Sequence, residues 1–360
     1  MARKECDRIV FICPCQLTSY NRRSGGTREM GNTDMSHAKI AILGGSGFIG
    51  SELTCGLLKR GAQVRIGDLK ASSSFPELWC QCDVRDANKL QEAVEGADAI
   101  VNLAAEHRDD VRPLSRYDET NVKGASEVCA AARRAKIDKI IFTSSVAVYG
   151  FHGRPVDENG PFSPFNAYGK TKYAAEGIYR TWAEEDASRT LIIVRPTVVF
   201  GEGNRGNVYN LLNQIAAGRF FMVGSGNNVK SIAYVGNVVA FLIHTLQLGS
   251  GLHIFNYVDG PDLTTKDLIQ HINMCLGRSK KLPRIPKPVA LFGGHLLDGV
   301  ASITGRTFPI SAIRILKFCE STQFRADRAN ESGFTPPFSL KEGLRRTIQF
   351  EFPTNELGAP

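Results

Sequence analysis

The chain has 360 residues, 42% hydrophobic and 22% charged, enough apolar material for one large or two medium globular domains; this excludes a disordered or fibrous chain. The 44 Lys and Arg against 36 Asp and Glu leave a net charge of +8, too diffuse for a dedicated nucleic-acid binder and better suited to an anionic substrate or a lipid surface. Nine cysteines without paired zinc-ligand spacing indicate free, mostly buried thiols in a reducing cytosol and no metal site.

The apolar run at residues 9–15 is short, follows mixed charges and has no small-residue cleavage site after it, so it is not read as a signal peptide. Residues 16–36 are polar and rich in Gly, Arg, Ser and Thr, with Met30 and Met35 among them. Residues 1–37 are therefore expected to be a disordered N-terminal extension, its upstream part lying before an alternative start. No apolar stretch reaches about 18 residues, so no segment is expected to span a bilayer.

From Lys39 the pattern changes. K-I-A-I-L (39–43) opens into G-G-S-G-F-I-G (44–50) and then an amphipathic stretch over 51–60, which predicts strand, glycine turn and helix. Apolar runs at 64–68, 99–105, 139–145 and 191–196 predict further buried strands, with helices at 87–94 and 121–135 between them. Such alternation implies parallel β-α-β units in an α/β, Rossmann-type doubly wound sheet. Beyond Gly201, helical patterns at 208–217, 235–248 and 264–276 precede the Pro-punctuated L-P-R-I-P-K-P at 282–288. The expected organisation is a Rossmann domain over 38–200, a smaller C-terminal α/β substrate domain over 201–352 in which part of 231–257 returns to the Rossmann core, and a tail at 353–360.

Gly44, Gly47 and Gly50 are spaced G-x-x-G-x-x-G between the first strand and its helix. A dinucleotide pyrophosphate needs such a turn: no Cβ atoms in the way, backbone N–H groups facing phosphate, and the positive end of a helix. Asp68 ends the next strand at the distance expected of a ribose-binding acid. A carboxylate there accepts hydrogen bonds from both ribose hydroxyls and repels a 2′-phosphate, which favours NAD over NADP, with Lys70 weighing slightly the other way. Asp83, in C-D-V-R-D, stands where it either meets the adenine amino group or caps the following helix.

Tyr168 and Lys172, in A-Y-G-K-T-K, are four apart and share one helix face. Oxidising a hydroxyl requires a base beside the departing hydride, and a neighbouring ammonium together with a nicotinamide charge favours the phenolate of a tyrosine. Ser145, ending the run K-I-I-F-T-S-S, can hold the same substrate oxygen, with Ser144 and Thr143 as neighbours able to take that place. A surface Tyr beside a solvated Lys has the same spacing; the order glycine turn, ribose acid, strand-end serine, then Tyr and Lys is what gives the pair its weight.

In these motifs the chain resembles the extended short-chain dehydrogenase/reductases, over roughly residues 39–352. G-G-S-G-F-I-G, N-L-A-A (102–105), the Asn121-Val122-x-Gly124 element, S-S-V-A-V-Y-G (144–150) and Y-G-K-T-K (168–172) occur in that superfamily's order. The resemblance implies proton-transfer roles for Ser145, Tyr168 and Lys172. It also implies a cofactor set of Gly44, Gly47, Phe48, Ile49, Gly50, Asp68, Asp83, Val84, Leu103, Ala104 and Ala105 together with Tyr168 and Lys172. Its 4,6-dehydratases carry an Asp-Glu pair where this chain has Val146 and Ala147, so dehydration is not expected.

Narrower stretches, at 104–111, 195–212, 230–237 and 317–324, resemble a subgroup of 4-epimerases that act on N-acetylglucosaminyl-diphospho-undecaprenol in O-antigen assembly. Soluble sugar-nucleotide epimerases usually carry R-Y-F-N-x-x-G after the sixth strand; here the stretch is R-P-T-V-V-F-G, with Val198 in place of Asn. Lys230 matches a position where many relatives hold a diphosphate with Arg. Arg205 and Asn207 are either its partners or a polar surface loop, and His107, after the fourth strand, either touches sugar or is a structural loop residue.

The function this implies is NAD-dependent C4 epimerisation, with Tyr168 taking the C4 hydroxyl proton and substrate contacts from Ser145, His107, Arg205, Asn207 and Lys230. A UDP-sugar 4-epimerase, an NAD(P)H-dependent 4-keto-sugar-nucleotide reductase and a non-catalytic dinucleotide sensor remain the alternatives. The partners expected are a polyprenyl-diphosphate-linked or nucleotide-linked sugar and a second copy in a homodimer, with no nucleic acid. The apolar segment 288–301 follows the basic R-S-K-K-L-P-R-I-P-K (278–287), which suits peripheral contact with the cytoplasmic membrane surface as well as it suits a core helix behind a solvated loop.

Overall fold

The described residues of the computed structural model are 34–108, 111–278, 283–304 and 312–353. Their strands are β1 (Lys39–Leu43), β2 (Gln63–Asp68), β3 (Trp79–Gln81), β4 (Ala99–Asn102), β5 (Lys139–Thr143), β6 (Thr190–Pro196), β7 (Val198–Phe200), β8 (Met222–Val223), β9 (Val229–Lys230), β10 (Ile232–Tyr234), β11 (Gly251–Tyr257), β12 (Leu263–Thr264) and β13 (Arg284–Ile285). The helices are α1 (Phe48–Leu58), α2 (Ala87–Val94), α3 (Ser115–Tyr117), α4 (Gly124–Ala135), α5 (Ala167–Glu184), α6 (Asn207–Ala216), α7 (Val235–Thr245), α8 (Thr265–Cys275), α9 (Lys287–Thr304), α10 (Ala312–Cys319), α11 (Asp327–Glu331) and α12 (Leu340–Glu351).

Seven strands form one sheet in the order β11-β6-β5-β4-β1-β2-β3. β1 runs parallel to β2 and β4, β2 to β3, and β4 to β5. The apolar runs dictate this: every residue of β4 and of β6 is buried, the signature of a parallel strand covered on both faces. α1 packs on β1 and β2, while α2 packs on the same two strands and on α4.

The chain divides into two compact units. The first comprises the described residues up to Thr143 with Ala174–Ile192 and Leu242–Leu252; the second comprises Ser144–Tyr173, Ile193–Phe241 and the described residues from His253. β6 and β11 begin in the first unit and end in the second, and the chain passes between units several times. The second unit holds three small ladders, β10 parallel to β7, β12 antiparallel to β9, and β13 parallel to β8.

Several elements end earlier than the apolar runs suggest. β4 stops at Asn102 and β5 at Thr143; Leu103 N and Ser144 N still donate to Leu43 O and Val194 O, and side-chain-directed turns described below follow at once. The helix expected from residue 121 begins as a single π-helical turn, Asp118–Lys123, and becomes α-helical at Gly124. Residues 34–37 form a turn in which the Met35 N–H donates to Arg60 O at 2.9 Å. The remainder of the expected extension, residues 1–33, and residues 354–360 of the expected tail lie outside the described residues. Of the described cysteines, Cys55, Cys82 and Cys129 are buried, all six are free, and burial pushes the Cys82 and Cys129 thiols up to about 12. Among the described residues no helix is long and apolar enough to cross a membrane.

Candidate active site

The first unit builds a dinucleotide cradle from its glycine turn upward. Gly44 has φ +75°, and a Cβ on it would lie 2.6 Å from Ala104 N and 2.9 Å from the Leu103 carbonyl carbon. Only glycine takes that conformation and that approach, so the turn is seated directly on the 103–104 backbone. Gly47 is the N-cap of α1 and has no side chain to satisfy the first-turn N–H groups. Those amides and the helix dipole are available to an anion at Phe48, Ile49 and Gly50.

Asp68 closes onto this turn. Its Oδ2 accepts from Ser46 N at 3.1 Å and its Oδ1 from Lys70 N at 3.1 Å, while the Ser46 hydroxyl donates to Lys70 O at 2.8 Å. Each carboxylate oxygen spends one lone pair on backbone and retains capacity for a ribose hydroxyl. A turn with no room for a Cβ at Gly44, an uncapped helix start and an acid tied to the same turn together fit a dinucleotide.

The loop after β4 is fixed by two asparagines. Asn102 Oδ1 accepts from Ala104 N at 3.0 Å, and its amide donates to the Tyr179 hydroxyl at 2.7 Å. Asn121, in the π-helical turn, clamps Glu106 from both sides: Glu106 N donates to its Oδ1 at 2.8 Å, and its Nδ2 donates to Glu106 O at 3.0 Å. Leu103, Ala104 and Ala105 are thereby held beside the glycine turn, and His107 lies exposed just beyond the clamp. π-Helical turns concentrate at functional sites, and this one carries the buried Asn121.

Asp83 is bound by Arg85, whose guanidinium reaches its Oδ2 at 2.6 Å; that hydrogen bond holds its carboxyl below the usual carboxylate range. The cap of α2 is Asp86, accepting from Asn88 N and Lys89 N, so helix capping is not the role of Asp83. Val84 is buried against Gly124.

The second unit assembles the Ser/Tyr/Lys set. Ser145 lies two residues past β5, where its hydroxyl accepts from Ala147 N at 3.2 Å, caps the 3₁₀ turn Val146–Val148 and hydrogen-bonds the Tyr168 phenol. Of the three hydroxyls in T-S-S it is Ser145 that meets Tyr168. Asn166 starts α5 by accepting from Gly169 N at 2.8 Å, and Lys172, 2% exposed, follows Tyr168 by one turn. Burial pushes the Tyr168 phenol up to about 12, while the Ser145 hydrogen bond pulls the other way. In the chain alone desolvation dominates, so Tyr168 is protonated at neutral pH.

Sequence reasoning overlooked two supports of this set. A Cβ on Gly169 would lie 2.5 Å from Ala147 O, so glycine is what lets the first turn of α5 press against the Ser145 turn. Glycine inside a helix costs about 1 kcal/mol relative to alanine, and its place between Tyr168 and Lys172 was the available signal. The other is Arg195, fully buried at the end of β6. Its Nη1 donates to the Tyr149 hydroxyl at 2.6 Å and to Glu158 O at 3.0 Å, and its guanidinium lies 5.2 Å from the Tyr149 ring and 4.9 Å from the Phe162 ring. Tyr149 donates in turn to Asn256 Oδ1 at 2.7 Å, which fixes the segment leaving Ser145.

The expected substrate residues have separate partners. Lys230, on β9, donates its ammonium to Glu320 O, and burial lowers its pKa. Arg205 is exposed but pairs with the nearly buried Glu351 carboxylate at 2.5 Å and lies 4.2 Å from the Tyr209 ring. Asn207 is the exposed first residue of α6.

The chain is similar to known proteins along most of its length. The chain is 46% identical over 319 residues to N-acetyl-alpha-D-glucosaminyl-diphospho-ditrans,octacis-undecaprenol 4-epimerase of Escherichia coli O157:H7, covering 87% of this chain and 95% of that protein. UDP-glucose 4-epimerase of Vibrio cholerae is 25% identical over 322 residues, 86% of this chain and 94% of that one. Among solved structures, UDP-glucose 4-epimerase of Thermotoga maritima superposes with a TM-score of 0.69 at 21% identity, over 89% of this chain and 100% of that chain. UDP-glucuronic acid 4-epimerase of Bacillus cereus in complex with NAD gives 0.67 at 19% identity, over 87% and 98%. The profile of the NAD dependent epimerase/dehydratase family matches residues 40–257, the span that carries the glycine turn, Asp68, Ser145, Tyr168 and Lys172, and the chain belongs to that family.

Proposed function

We propose that the chain is an NAD-dependent 4-epimerase of an N-acetylhexosamine carried on a diphosphate, interconverting N-acetylglucosaminyl- and N-acetylgalactosaminyl-diphospho-undecaprenol for surface-polysaccharide assembly. The observation that carries the chemistry is the Ser145–Tyr168 hydrogen bond on a helix whose next turn bears the buried Lys172. The substrate assignment rests on 46% identity to a relative of that name, with coverage of 95% of its length.

Bound NAD supplies a reversible hydride acceptor for the sugar C4. Ser145 holds the C4 oxygen and Tyr168 takes its proton, as a general base whose anion Lys172 stabilises. The resulting ketone turns over in the site, the hydride returns to C4 on its opposite face, and Tyr168 gives the proton back to the C4 oxygen, which yields the epimer. Arg195 and Gly169 touch no reacting atom; they position Ser145 and Tyr168. The diphosphate is met by Lys230 with Arg205 and Asn207. The reaction takes place at the cytoplasmic membrane surface, which the chain contacts peripherally.

A second reading, a soluble UDP-linked sugar as substrate, is favoured by the likeness to the Vibrio cholerae enzyme. Incubating the purified chain with polyprenyl-diphospho-N-acetylglucosamine and, separately, with UDP-N-acetylglucosamine, then resolving the C4 epimers, decides between them. Conversion of the lipid-linked sugar is expected; conversion of the UDP-sugar alone overturns the lipid-linked assignment in favour of the second.

A further inference from the structure

α9 inverts the ordinary surface pattern. A helix at the edge of a domain normally turns an apolar stripe inward and charged residues to water. The inward side of α9 is already occupied by α10: a Cβ on Gly294 would lie 2.8 Å from Ala312 N, and Asp298 accepts from that same N–H at 3.0 Å. Its outward side carries Val289, Phe292, Leu296 and Val300, which are 59%, 68%, 57% and 45% exposed. Their spacing of three, four and four places them on one face, a stripe about 16 Å long at 1.5 Å per residue. Contiguous exposed apolar surface of this kind marks an interaction site.

The surroundings specify what covers it. Lys287 opens the helix, and Arg284 is exposed on β13, paired in register with Met222 of β8. Next to Met222 stands Phe221, 52% exposed, with Arg219 exposed two residues before it. The one acidic residue of α9, Asp298, is engaged with α10. Cations gathered at the root of an uncharged apolar ridge match an anionic headgroup layer over acyl chains. A second protein surface fits less well, since stable interfaces bury about 20–30 residues a side and this ridge presents four large side chains on one helix.

We propose that α9 is a bilayer-docking element: Phe292 and Leu296, flanked by Val289 and Val300, enter the headgroup–acyl boundary of an anionic membrane while Arg219, Arg284 and Lys287 meet its headgroups. No described helix can cross a bilayer, so the contact is monotopic. The proposal deepens the lipid-linked reading and rests on it for its biological meaning, but its test does not involve turnover.

The test is co-sedimentation of the full chain with phosphatidylcholine vesicles containing phosphatidylglycerol and with vesicles of phosphatidylcholine alone. The wild type is expected to bind the anionic vesicles more strongly, in a salt-sensitive manner. The double variant Phe292→Ser/Leu296→Ser is expected to lose at least about tenfold in partitioning, and Arg284→Glu/Lys287→Glu to lose the preference for anionic lipid. All four side chains are at or near the surface, and unchanged thermal melting of both variants confirms that folding is intact. Retained vesicle binding by the Ser variant overturns the proposal. So does a Ser variant that turns from dimer to monomer by light scattering while its vesicle binding is unchanged, which makes the ridge a contact between copies. Turnover of a water-soluble short-chain polyprenyl-diphosphate sugar, assayed in parallel, separates the two claims: a wild type that turns it over without binding vesicles refutes the docking and leaves the epimerase standing.

Discussion

Gly169 lies where a Cβ atom would sit 2.5 Å from the carbonyl oxygen of Ala147, in the turn capped by Ser145. That close approach sets how Tyr168, the preceding residue, meets the Ser145 hydroxyl. Adding a methyl group must push α5 away from backbone that cannot give. Gly169→Ala is therefore expected to lower kcat at least about tenfold, because sub-ångström misplacement of a proton-transfer pair is costly. Dinucleotide affinity, measured by titration, should stay within about twofold, since the glycine turn and Asp68 belong to the other unit. A variant with normal turnover would show that the Ser145–Tyr168 geometry tolerates the shift.

Removing the phenol oxygen while keeping the ring tests the base directly. Tyr168→Phe is expected to lose at least about 10²-fold in kcat with folding and NAD binding intact. Lys172→Met should give a similar loss and, where residual activity is measurable, should move the ascending limb of the rate profile to higher pH, because burial already pushes the Tyr168 phenol up to about 12 against the Ser145 hydrogen bond and a neighbouring ammonium favours the phenolate.

Asp68 accepts from both Ser46 N and Lys70 N, so it anchors the turn. Asp68→Asn retains a hydrogen-bond acceptor but removes the charge that repels a 2′-phosphate. The expected outcome is a lower ratio of NADP to NAD dissociation constants, by about tenfold. An unchanged ratio would place the ribose elsewhere.

Asp259 is 1% exposed and accepts from Tyr234 N at 2.7 Å; burial pushes its carboxyl up to about 6, opposed by hydrogen bonds from Tyr234, Asn237 and Tyr257. The folded pKa lies above the unfolded one, so the folded state binds the proton more tightly. Its contribution is fully present below the unfolded pKa and fades as pH rises through about 6. The unfolding free energy of the wild type relative to Asp259→Asn should fall by about 2–3 kcal/mol between roughly pH 4 and pH 7, as read from denaturant titrations. A difference that is flat with pH would mean that Asp259 does not titrate in this window.

Much of this was legible in the sequence because the relevant patterns are local. The apolar runs of β1, β4, β5 and β6, the glycine spacing and the acid ending β2 each lie within a few consecutive residues, where periodicity and spacing speak directly. The strand ends were not legible: Leu103–Ala105 and Ser144–Ser145 are as β-compatible as the residues before them. What stops the strands is Asn102 folding onto Ala104 N and Ser145 folding onto Ala147 N. Nor could spacing reveal that Asn121 clamps Glu106 or that Arg195 holds Tyr149, since both are contacts between residues far apart in sequence. The alternatives open for Asp83 narrow for the same reason, because the capping role falls to Asp86.

The central claim is that Tyr168 serves a reversible oxidation at C4 with no net redox change. Its most direct test is turnover of polyprenyl-diphospho-N-acetylglucosamine carrying deuterium at C4, with the product epimer analysed by mass spectrometry and the nicotinamide pool followed by absorbance. The N-acetylgalactosamine epimer is expected to retain the deuterium, with no reduced nicotinamide consumed or released over many turnovers. Loss of the label to solvent, or stoichiometric consumption of NADH, would contradict it.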